Sequence, residues 1–263
     1  MKNGKPRPRW NTLDAWPVLP LVLLGALTLI AGDSLATGDA DGGGVSTSQA
    51  LSAGVFIAVL LQQAYQAFGP WLISALRGVG IVGDWKFRFK WADLGIGLGI
   101  GVGCLVAAGL VSTLVTRLVD LGVDESASNT SIVSDNSGSP WLWGVALVVI
   151  IGAPLTEELL FRGLVLQTVA KDFGKIAGIV VSTIAFTLPH ALPGATFGES
   201  SVLLATIFTI GLIFAVATVI FDRLGPAIIG HFVFNAFGFG ATLLFGDSIT
   251  DEAILAPVLH LFG

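Results

Sequence analysis

The sequence predicts an all-α fold, a polytopic membrane helix bundle, from three observations. Of its 263 residues, 54% are hydrophobic and only 12% charged, about half the charged share that a soluble domain of this length carries. The apolar residues run in blocks of roughly 18–25, the length needed to cross a bilayer, rather than in short amphipathic periods. Basic and acidic residues also alternate from one connection to the next, as they do when successive loops lie on opposite sides of a membrane. The single cysteine, Cys104, sits inside an apolar block, which leaves no disulfide framework and no cysteine-based metal site. The net charge of −5 is divided among the loops and gives no reason to expect a nucleic-acid partner.

Seven spans follow, about 17–36, 50–76, 93–116, 141–169, 176–193, 201–221 and 226–245. The first lacks a small-residue cleavage site and leads straight into further spans, so it reads as a retained helix. Lys2, Lys5, Arg7 and Arg9, then Arg77, Lys86, Arg88 and Lys90, then Arg162, Lys171, Lys175 and Arg223 fall on one side of this topology, with Arg117 opposite. The basic side is the cytoplasm by the positive-inside rule, which places the N-terminus there. The polar stretches 32–49 and 120–140 are too short to fold alone and read as external loops. The tail 246–263 is either an interfacial segment or an eighth span. Three regions result: 1–140 with the first three spans, 141–245 with every motif below, and the tail.

Within the third span GIGLGIGVGC sets glycines at 95, 97, 99, 101 and 103. At helical spacing this is a face for close helix packing. A phosphate loop would need a following Lys-Ser/Thr, which is absent. On the second span Gln62, Gln63, Tyr65 and Gln66 form a polar stripe suited to bonding neighbouring helices or to lining a substrate entry.

Ionisable groups at bilayer depth cost several kcal/mol unless paired or hydrated, and so mark candidate sites. They are few here: Glu157, Glu158 and Arg162 on the fourth span, His190 on the fifth, and His231 with Asn235 on the seventh. Residues four apart share a helix face whereas neighbours diverge by about 100°. Glu158 can therefore pair with Arg162, while Glu157 points elsewhere. Phe186 with His190, and His231 with Asn235, are likewise one turn apart. Counting about 1.5 Å per residue from the basic ends puts Glu157 and His190 at similar depth, and leaves His231 shallower. Pro154, Pro189, Pro193 and Pro226 flank these groups, consistent with kinks around a wet cavity. A carboxylate beside an imidazole can deprotonate water, and a second imidazole with an amide can donate to the oxyanion formed when that water attacks a carbonyl. With no G-x-S-x-G and no catalytic cysteine, the reaction class is hydrolysis by activated water, peptide cleavage in the membrane foremost.

The three motifs E-E-x-x-x-R (Glu157, Glu158, Arg162), F-x-x-x-H (Phe186, His190) and H-x-x-x-N (His231, Asn235), in this order on late helices, resemble the CPBP family of type II CAAX prenyl endopeptidases and bacteriocin-processing or immunity relatives. The resemblance covers about 141–245. It implies a glutamate-dependent intramembrane endopeptidase acting on a peptide or lipidated protein within the bilayer. Glu157 with His190 would be the general base, His231 and Asn235 the oxyanion site, and Glu158 with Arg162 a structural pair, Phe186 being pocket wall. It also raises zinc, held by Glu157 or Glu158 with His190 and His231, although no H-E-x-x-H is present and Asn235 suits hydrogen bonding better than coordination. Metal-free water activation is the leading expectation. A proton-coupled carrier and a non-catalytic immunity or scaffold protein are the rival classes. The sequence leaves the oligomeric state and the substrate's lipidation open.

Overall fold

A computed structural model describes residues 8–16, 53–119, 140–191 and 197–245. The first predicted span, the 32–49 loop, nearly all of the 120–140 loop and the tail lie outside the described residues. The described residues contain helices and no strand.

Six helices correspond to the other six predicted spans: α1 Ala53–Arg77, α2 Ala92–Val119, α3 Leu142–Phe173, α4 Lys175–Thr187, α5 Phe197–Phe221 and α6 Gly225–Phe245. Among the described residues four are long and apolar enough to cross a membrane, namely α2, α3, α5 and α6 over most of their lengths. α1 has the length, but Gln62, Gln63 and Gln66 dilute its apolarity. α4 with its terminal 3-10 turn stops at His190, short of the predicted 193. Pro189 and Pro193 both oppose further helix, since each lacks an N–H.

α2 packs against both α5 and α6, α3 folds back on α4, α1 lies along the middle of α3, and α6 touches the N-terminal half of α3. Gly174 makes the α3–α4 turn with φ +89°, a left-handed conformation that a side chain would strain. Only part of the glycine stripe is a packing face. A Cβ at Gly97 would lie 2.5 Å from Ile229, and one at Gly101 would lie 2.6 Å from Val233, whereas Gly95, Gly99 and Gly103 meet nothing within 4 Å. The close α2–α6 crossing is what lets α6 carry His231 inward.

The basic connections do meet at one end. Arg9 N–H donates to Arg77 O, Arg77 pairs with Asp14 at 2.5 Å, and Lys171 donates to Trp10 O at 2.5 Å. Lys86 pairs with Asp222 at 2.6 Å. Asp84, buried in the turn after α1, accepts from the Trp10 indole, the Ser74 hydroxyl and two main-chain N–H groups, so the N-terminal stretch is tied into this end. At the start of α2 the buried Asp93 takes a fork from Arg223 at 2.6–2.9 Å, and its carboxylate occupies the space a Cβ at Gly225 would need. That joint fixes where α6 begins.

Candidate active site

α3 is one apolar helix interrupted by two π-helical stretches, Val148–Gly152 and Glu158–Val165. Wider turns of this kind recur at functional sites because they turn the following side chains away from the α-helical register. Here Pro154 and Glu157 lie between the two stretches, and Glu158 opens the second.

Glu158 and Arg162 are both fully buried and pair at 2.9 Å. Arg162 is therefore a centre of the bundle, not one of the edge cations that the charge pattern suggested. Its second amino group donates to Gly211 O on α5 at 2.9 Å, and its guanidinium stands 4.2 Å over the Phe186 ring. Gly211 is small by necessity: a Cβ there would lie 2.9 Å from Phe186. Phe186 is thus more than pocket wall, because it supports Arg162 on one side and meets His190 and the edge of His231 at 5.0 and 6.0 Å between ring centres.

His231 lies between the two glutamates. Its Nδ1 is 3.0 Å from Glu158 Oε1, and its Nε2 is 3.9 Å from Glu157 Oε2. A carboxylate paired with Arg162 only accepts, so Nδ1 carries the proton and Nε2 faces Glu157. Phe214 of α5 stacks on the imidazole at 5.1 Å and fixes the ring plane. His231 and Glu157 do meet although simple depth counting left His231 shallow.

His190 sits at the end of α4, where Nδ1 donates to its own helix's Phe186 O at 2.8 Å. Among the described residues the ion-pair contact of Glu157 is with His231, not with His190. Asn235 is one turn beyond His231, but its Nδ2 donates to Val149 O on α3 at 2.9 Å. Thr156, next to Glu157, bonds Gln63 and Gln66 of α1, so the polar stripe borders the site. Sequence reasoning missed Gly211, Phe214 and Asp93. A glycine and a phenylalanine in an apolar run carry no local signal, and Asp93 stood at a predicted span edge.

Among the described residues no group of three His, Cys, Asp or Glu side chains lies close enough together to hold a metal ion.

Residues 139–237 match the Rce1-like family. The matching family is described as Type II CAAX prenyl endopeptidase Rce1-like, and its span contains all three motifs and every contact of the site except those from α1. No match to the chain was found among curated proteins or among solved structures. The Rce1-like match and the membrane-length helices identify a multi-pass membrane protein of the kind that includes intramembrane proteases.

Proposed function

We propose that this chain is an intramembrane endopeptidase that hydrolyses a peptide bond of a membrane-associated substrate. Prenylated CAAX-type C-termini are the first class to test, because the matched family is described by that activity. The observation that carries the reading is the facing of the Glu157 carboxylate and the His231 Nε2 across 3.9 Å. A water hydrogen-bonded at about 2.8 Å can touch both.

In this reaction Glu157, with His190 assigned as its partner in the general base, takes a proton from water as the oxygen attacks the scissile carbonyl carbon. The oxyanion forms beside His231 and accepts from the Asn235 N–H that Val149 does not use. Collapse breaks the C–N bond, and the proton held by Glu157 and His190 passes to the leaving amine. Glu158 and Arg162 hold His231 in its tautomer, much as an aspartate orients the base of a catalytic triad. The basic end of the bundle faces the cytoplasm, as the positive-inside rule requires.

The test is cleavage of a farnesylated CAAX peptide by purified protein in liposomes. Glu157→Gln is expected to lower kcat by at least about a hundredfold, the scale of a lost general base. Unchanged cleavage by this variant would overturn the mechanism. A strong chelator is expected to leave the rate unchanged; loss of activity with stoichiometric zinc would replace it with a metal mechanism.

A further inference from the structure

Asn235 has a task that the reaction alone does not require. In the first π-helical stretch the Ala153 N–H bonds to Val148 O, five residues back. In the same register Val149 O would take its hydrogen bond from residue 154, which is proline and has no N–H. A main-chain carbonyl inside an apolar helix is costly to leave unpaired. Asn235 Nδ2, reaching across from α6, supplies the missing donor at 2.9 Å. In the second stretch a side chain of the same helix also reaches a main-chain carbonyl: Gln167 Nε2 donates to Arg162 O at 3.1 Å.

We propose that Asn235 is a positioning residue that pins the π-turn at Val148–Gly152 and thereby decides which of two adjacent glutamates enters the site. A π-turn adds one residue to a helical turn, and one residue subtends about 100°. Without that turn, the part of α3 beyond Pro154 would be rotated by this angle, which is the angle between Glu157 and Glu158. The carboxylate facing His231 Nε2 would then be exchanged or lost, and the Glu158–Arg162 pair would be turned out of register with Gly211. α6 thus supplies both His231 and the amide that aims Glu157 at it, so the two motifs act as one unit. The consequence for chemistry rests on the hydrolase reading, whereas the α3 register does not.

The experiment accordingly reads register and stability without substrate. In a Cys104→Ser background with Glu157→Cys, the thiol introduced at position 157 is titrated with a water-soluble maleimide in detergent. Adding Asn235→Ala is expected to slow labelling severalfold. In the otherwise unaltered protein, Asn235→Ala is expected to lower the thermal unfolding midpoint by several degrees. Adding Pro154→Ala, which restores a main-chain N–H, is expected to recover most of that loss. Loss of an oxyanion donor would not be recovered in this way. The proposal is overturned if Asn235→Ala leaves both labelling and midpoint unchanged, or if Pro154→Ala recovers none of the midpoint. If both readouts behave as expected while no peptide is cleaved, the hydrolase reading fails and the positioning role stands.

Discussion

Arg162→Met isolates the most strongly coupled charge in the bundle. Three interactions are lost together: the 2.9 Å ion pair with Glu158, the 2.9 Å bond to Gly211 O, and the guanidinium over Phe186 at 4.2 Å. Interhelical hydrogen bonds in membranes average about 0.6 kcal/mol, and a desolvated cation–π contact is worth about 2 kcal/mol. Leaving Glu158 as an uncompensated charge costs about 3–5 kcal/mol, and this dominates because the carboxylate has no exposed surface. The expected destabilisation is therefore about 3–5 kcal/mol, not the sum of the three, since the losses share one site. Pairing the change with Glu158→Gln removes the stranded charge yet keeps an oxygen for His231 Nδ1. The double variant should be more stable than Arg162→Met alone. Tryptophan fluorescence during denaturant unfolding in mixed micelles gives the comparison. A double variant no more stable than Arg162→Met would refute the charge argument and assign the effect to packing.

Two further outcomes follow from particular contacts. Gly101→Leu forces a Cβ to 2.6 Å from Val233 and 2.8 Å from Gly230 O, and should cost about 1–3 kcal/mol by overpacking, while Gly103→Leu, with open space around it, should change stability by less than about 0.5 kcal/mol; the same unfolding assay compares them. At the basic end, the hydrogen bond from Lys86 holds the Asp222 carboxyl below its ordinary value of 3.8. A carboxyl lowered by folding adds stability that is present above the ordinary value and is lost as the pH falls through the lowered one. Asp222→Asn should therefore remove a small acid-side slope in the unfolding midpoint. High salt should weaken that slope, because the side chain is 69% exposed.

The membrane class and the six described helices that match predicted spans were legible in the sequence because hydrocarbon demands long apolar helices, and length and hydropathy are local properties. The Glu158–Arg162 pair was legible for the same kind of reason, being a four-residue spacing on one helix. So was the isolation of Glu157 from any partner on its own helix. The end of α4 at His190 was nearly so, its prolines standing in plain view.

What the sequence by itself determined, then, was which polar groups α3, α4 and α6 bring into the bilayer and that their segment resembles a known family. Only the tertiary structure decided what they do to one another. That Glu158 serves His231 as well as Arg162, that Phe214 and Gly211 of α5 complete the setting, and that Asn235 bonds to Val149 O depend on how helices cross and on π-turns in α3. The π-turn at Val148–Gly152 is not written in residue spacing alone: Pro154 removes one donor and a side chain from another helix replaces it. One such turn shifts the facing of every residue after it by about 100°, so the choice between two neighbouring glutamates belongs to packing rather than to the local sequence.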